Sequence, residues 1–119
     1  MSNIGSVLNI LLKDATSFCQ LTISYTQQRS VLSKHICNFF PVMKKVNSAS
    51  NDIKVLKYLL ESKADEEVLL HFVFTSLEDS LQGLLLVHGG KGYCITSTAS
   101  QSWLSCRRSI NMLKKVDGK

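Results

Sequence analysis

Residues 66–97 read EEVLLHFVFTSLEDSLQGLLLVHGGKGYCITS, and this stretch decides the fold that the sequence predicts. It contains two long apolar runs joined by a polar link, then a glycine-rich segment and a third, shorter run. Side chains at 68–75 alternate between two faces, and their β-branched and aromatic content favours a strand over a helix. We therefore predict that a first strand begins near residue 67.

The second run, 81–88, precedes the tetrapeptide Gly89-Gly90-Lys91-Gly92. A type II′ hairpin needs glycine at its first central position, and Gly90 meets that requirement. On this register the central strand is apolar on both faces, which is typical of a strand that is covered on both sides. The sequence thus predicts a three-stranded antiparallel sheet over about 67–98.

The chain before this stretch shows the three- and four-residue apolar spacing of amphipathic helices. Residues 22–27 are predicted to be a turn or short extended link, and Pro41 to kink or end the second helix. Either Ser50 or Asn51 can cap the third helix, with Asp52 in its first turn. We predict three N-terminal helices, at 3–21, about 28–45 and about 51–63.

A further helix is predicted from about residue 100 to 116, because apolar residues recur on one arc and basic residues on the opposite one. The predicted fold class is therefore α+β, with this C-terminal helix packed on the sheet. A single domain spans 1–119, with a helical part at about 3–63 and a β-meander plus helix at about 66–116. The residues of the apolar arc are Trp103, Cys106, Ile110, Leu113 and Val116.

The composition excludes a disordered chain, since 45% of the residues are hydrophobic and only 19% are charged. The net charge is +5, but six of the nine acidic residues lie within 61–79. The basic residues lie mostly outside that block. A mild basic excess of this kind permits contact with nucleic acid or an acidic partner without requiring it.

The sequence predicts a cytoplasmic or nuclear protein. Its four cysteines are widely spaced within apolar patterns, which favours reduced thiols over a disulfide framework. We see no secretory signal, and the apolar runs are too short to span a bilayer.

No catalytic residue, cofactor site or metal site is predicted. The glycine segment is followed by a predicted strand, whereas phosphate-binding loops need a helix there. The His and Cys residues lack the close spacing of metal ligands. An enzyme that uses Cys94 or His88 is the least favoured hypothesis, because no neighbouring base is evident from the spacing.

Two sets of residues are candidates for contact with a partner. The basic face of the last helix could contact phosphates or an acidic surface, although a solvated outer face is the simpler explanation. The apolar residues exceed what one small core needs, unless the core is unusually well filled. We predict a non-enzymatic protein–protein interaction module, a small adaptor or complex subunit that binds another protein or itself; the alternative is nucleic-acid binding. The basic candidates are Arg107, Arg108, Lys114 and Lys115, and the apolar candidates are Leu85, Val87, Phe39, Phe40 and Trp103.

Overall fold

The computed structural model describes residues 4–33, 39–88 and 97–117. These residues form helices and one short turn, and no strand occurs among them. The elements are α1 (Ile4–Ser33), α2 (Phe39–Glu61), α3 (Glu66–Phe72), a π-helical segment (Val73–Leu77), α4 (Glu78–His88) and α5 (Ser97–Asp117). Because α3, the π segment and α4 follow one another without a break, we call them together the third rod.

Buried side chains recur every three or four residues along each helix, which is the spacing of a helix-bundle core. Helix α1 approaches α5, α2 and α4 closely, whereas α5 approaches the third rod only sparsely. The α1 side chains that close the core are Ile4, Leu8, Leu11, Ala15, Phe18, Cys19 and Thr22.

The predicted three-stranded sheet is wrong. Residues 67–88 are helical, residues 97 and 98 begin α5, and the glycine turn with most of the third strand (89–96) lies outside the described residues. The run at 68–75 is apolar at both the strand and the helix spacing, so its local pattern does not distinguish them. A longer stripe at helical spacing, which crosses the supposed polar link, decides the fold in favour of helix. Its buried members are Leu69, Leu70, Val73, Leu77, Leu81 and Leu84.

The π segment lets this stripe stay in the core. Leu69, Val73, Leu77 and Leu81 are separated by steps of four, and in an α-helix each such step advances about 40° beyond a full turn. The wider π turn at Val73–Leu77 reduces this drift. Val73, Leu77 and Leu81 consequently remain fully buried.

The predicted link at 22–27 is also wrong, because α1 continues through it to Ser33. Thr22 falls on the buried stripe and is fully buried. Its hydroxyl donates a hydrogen bond to the Phe18 carbonyl oxygen at 2.8 Å, which satisfies the polar group inside the helix. Tertiary burial therefore outweighs the weak helix preference of the β-branched residues here.

Helix α2 joins the last part of the predicted second helix, residues 39–45, to most of the predicted third, whereas residues 28–33 belong to α1. Residues 47–51 lie inside α2, and Asp52 does not occupy a first turn. The Asp52 carboxylate instead accepts hydrogen bonds from the hydroxyls of Ser76 (3.1 Å) and Ser80 on the third rod. Pro41 lies near the described start of α2 and the helix continues through it, so this residue does not end the helix.

The C-terminal helix is confirmed, although it begins three residues earlier than predicted. Cys106, Ile110 and Leu113 are buried as expected. The prediction that Val116 belongs to the core arc is wrong, because this side chain is 42% exposed. Each step of three from Ile110 lags about 60° behind a full turn, which carries residue 116 out of the core.

The turn between α2 and α3 is a Schellman motif with an unusual residue. The Ala64 N–H donates to the Leu59 carbonyl oxygen (3.0 Å), and the Lys63 N–H donates to that of Leu60 (3.2 Å). This pattern places Lys63 in the left-handed region, with a φ of 58°. Glycine is the residue that adopts this conformation without a steric penalty from Cβ.

We therefore expect Lys63→Gly to raise the free energy of unfolding by about 1 kcal/mol, because it removes that strain. The matched control is Lys57→Gly, an exposed lysine inside α2, which should lower it by about 0.7 kcal/mol. Urea denaturation followed by circular dichroism measures both. Destabilisation by both substitutions would contradict the left-handed turn.

Candidate interaction surface

The four basic residues of α5 do not act as one face. Residues seven apart share a side of a helix, so Arg107 lies with Lys114, and Arg108 with Lys115. The first pair points to Glu78 at the start of α4. The second pair is exposed on the outside of the bundle. The predicted basic surface is thus divided between an internal contact and a solvent face.

Glu78 is held by both cations of the first pair. Its Oε2 accepts from Arg107 Nη1 at 2.7 Å and from Lys114 Nζ at 2.9 Å, and the side chain is only 15% exposed. The Arg107 guanidinium also lies 5.7 Å from the centre of the Trp103 ring, and Lys114 Nζ lies 6.0 Å from that of Phe74. We call this group the Glu78 clamp; it joins α5 to the third rod where the two backbones approach only sparsely.

The clamp also sets the ionisation of Glu78. Burial by itself raises the pKa of this carboxyl, but the hydrogen bonds and charges of Arg107 and Lys114 outweigh burial and hold the pKa below its ordinary value. A lowered folded-state pKa stabilises the fold above the unfolded-state pKa of about 4.3. That stabilisation is lost as the pH falls through the folded-state pKa.

Residues predicted as an apolar interface lie partly in the core. The Trp103 ring is half-buried and packs against Phe18, with ring centres 5.9 Å apart at 41°. Leu85 is half-buried against the core, and Val87 is half-buried near the end of α4. Phe39 and Phe40 begin α2, but their side chains lie outside the described residues. Their role in an interface stays a prediction.

The most exposed large apolar residues are different ones, and three of the seven among the described residues lie on α5. Leu104 and Met112 are 53% and 54% exposed. A helical projection of α5 would have found them, since both fall outside the arc of Cys106 and Ile110. The full set is Ile10, Tyr58, Val68, Leu86, Leu104, Met112 and Val116.

Leu104, Arg108, Met112 and Lys115 follow one another at steps of four, four and three, so they share one side of α5. All four are exposed. We call this set the α5 outer stripe. It alternates apolar and basic side chains along the outside of the bundle.

Ile10 is an exposed apolar residue of α1, the helix that packs along α5. Phe18 contacts Trp103, and the charge of Asp14 reaches Cys106, so α1 and α5 run antiparallel. Ile10 is one turn before Asp14, on the side of α1 that faces α5. Counting eight residues back from Phe18 places it level with residues 111–112 of α5.

The described thiols are poor nucleophiles. Cys19 and Cys106 are free and buried. Burial raises the pKa of Cys19, and burial together with the charge of Asp14 raises the pKa of Cys106 to about 12. Cys37 and Cys94 lie outside the described residues.

The described parts of the chain contain neither a cluster of metal-ligating side chains nor a helix that could span a membrane. Within 4–33, 39–88 and 97–117, no three His, Cys, Asp or Glu side chains come together as a metal site would require. Among the helices that are described, none has the length and apolarity to cross a membrane.

Comparison with protein families, curated proteins and solved structures finds no match to this chain. Its function is therefore inferred from its own residues.

We expect Glu78→Gln to lower the free energy of unfolding at pH 7 by about 1 kcal/mol, because both cations lose their charged acceptor. The loss should shrink as the pH falls from about 4.3, where the unfolded chain protonates Glu78, through the lower folded-state pKa, where the folded wild type protonates it too. Chemical denaturation at several pH values measures it. The control is Asp79→Asn, an exposed neighbour with the same change in charge. Equal effects of the two substitutions would contradict the clamp.

Proposed function

We propose that this chain is a non-enzymatic protein–protein interaction module, a small adaptor or a subunit of an intracellular complex, and that the α5 outer stripe is its contact surface. The supporting observation is the exposure of Leu104 and Met112, each more than half exposed on a helix whose other side closes the core. Large apolar side chains gathered on one exposed face are typical of binding surfaces. Burying them against a partner is favourable in proportion to the apolar area removed from water.

The attachment of α5 also supports this proposal. Its inner side packs along α1, and the Glu78 clamp fixes its flank to the third rod. A stripe on a helix held at two sides is presented to a partner without further ordering. A preorganised surface of this kind loses less conformational entropy on binding.

Nucleic-acid binding is the weaker candidate. Arg107 and Lys114, two of its four predicted contacts, already share Glu78 as their acceptor. Arg108 and Lys115 remain, and Leu104 and Met112 lie among them without chemistry that suits phosphate. The proposed setting is the cytoplasm or nucleus, which the free thiols of Cys19 and Cys106 support.

The proposal predicts that Leu104→Ser with Met112→Ser removes binding partners without unfolding the bundle, because both side chains are exposed. Affinity capture from native lysate, with quantitative comparison of the captured proteins, measures this. The matched control is Val68→Ser with Leu86→Ser, two exposed apolar residues on the third rod. A stoichiometric protein retained by the wild type and the control, and lost by the α5 variant, is the expected result. The same captured set for all three chains would refute the proposed surface.

A further inference from the structure

The α5 outer stripe carries positive charge that no described residue neutralises. Arg108 donates only to the hydroxyl of Ser105, at 3.3 Å, and neither Arg108 nor Lys115 is in an ion pair with a described residue. Glu78 is already shared by the other two cations of α5. The electrostatic potential over the α5 outer stripe is therefore positive.

Acidic residues are scarce on the two helices that form this side of the bundle. On α5 the only carboxylate is Asp117 in the last position, and on α1 it is Asp14, whose charge acts on Cys106. A partner that places carboxylates opposite Arg108 and Lys115 gains attraction without displacing an existing ion pair.

The stripe has the dimensions of a contact with one helix. From Leu104 to Lys115 it covers three turns, or about 16 Å along α5. Its apolar residues are two turns apart, with a cation between them and another beyond. A partner helix that packs along this row inserts its own apolar side chains, spaced three and four residues apart, beside Leu104 and Met112. The residues that flank its apolar ridge then lie over Arg108 and Lys115.

We propose that the occupant of the α5 outer stripe is an acidic amphipathic helix of another protein, with its apolar ridge on Leu104 and Met112 and its carboxylates on Arg108 and Lys115. This rests on the proposed function, because it names the partner chemistry of the same surface. Ile10, on the neighbouring helix α1, is a further exposed apolar residue.

The same charges disfavour the other occupants. A symmetric dimer through this stripe would gather Arg108 and Lys115 of both copies in one interface with no carboxylate of the stripe among them, and like charges across an interface repel. An anionic membrane would need the apolar side of α5 for insertion, and Cys106, Ile110 and Leu113 on that side are buried in the core.

Designed peptides test the proposal with the full chain. The first is a helical peptide of about 21 residues, long enough to form several turns, with a leucine ridge flanked by glutamates. The second has lysine in place of every glutamate, and the third keeps the glutamates but has serine in place of leucine. Binding is measured by fluorescence anisotropy at low and high salt. We expect the glutamate–leucine peptide to bind. The affinity of each of the other two peptides should be lower by a factor of about ten or more.

Reversing the charge of the α5 outer stripe tests most directly whether the partner is acidic. Arg108→Glu with Lys115→Glu should invert the preference, so that the lysine peptide binds better than the glutamate peptide. The matched control reverses two exposed lysines of α2, Lys54→Glu with Lys57→Glu, and should keep the wild-type preference. Circular dichroism checks that each variant is folded. If the Arg108→Glu, Lys115→Glu variant unfolds, Arg108→Gln with Lys115→Gln takes its place. This neutral variant should bind the glutamate and lysine peptides equally.

Other outcomes would distinguish failure of the acidic partner from failure of the proposed function. Loss of binding in the Leu104→Ser, Met112→Ser variant with no change on charge reversal would overturn the acidic partner while leaving the proposed function standing. No effect of either variant, or no binding of the glutamate–leucine peptide, would overturn the acidic helix as occupant. Tighter binding of duplex DNA, RNA or phosphatidylserine vesicles than of the peptide, with the same dependence on Arg108 and Lys115, would replace the protein partner by an anionic polymer or surface.

Discussion

The buried stripe of α1 is the constraint on which the rest of the structure depends. Fully buried residues such as Leu8, Leu11 and Phe18 form one side of the helix, and α2, α4 and α5 all approach it closely. Apolar burial on this scale supplies most of the stability of a small helical domain. The Glu78 clamp and the hydrogen bonds of Asp52 then hold the outer helices at their flanks.

Most of the α1 stripe and the α5 arc from Cys106 to Leu113 could be predicted from the sequence, because most polar residues of both helices fall on the opposite side. Thr22, which is buried, and Val116, which is exposed, are exceptions. The third rod could not be predicted by the same reasoning. Its runs at 68–75 and 81–88 carry apolar residues at both the strand and the helix spacing, and their β-branched and aromatic residues favour strands. The deciding fact is the burial of Leu77, which joins the two runs into one stripe and depends on the packing of α2 against the π segment.

The candidate site could be predicted only partly, for a similar reason. The sequence identifies Arg107, Arg108, Lys114 and Lys115 as charged, but it does not show that Glu78, some 30 residues earlier, engages two of them. Exposure of Leu104 and Met112 follows from the helical projection once α5 is known to face α1. Charge and exposure together, rather than any motif, support the proposed contact surface.

The burial of Leu77 and the attachment of α5 through the Glu78 clamp depend on residues 66–88 forming one continuous helix. Backbone ¹³Cα secondary chemical shifts across this segment, measured by NMR on the isotopically labelled chain, test that claim directly. An uninterrupted run of positive, helical values from Glu66 through the π segment to His88 is the expected result. Negative, strand-like values at 68–75 and 81–88, with a break at residues 77–80, would contradict the bundle and restore the sheet.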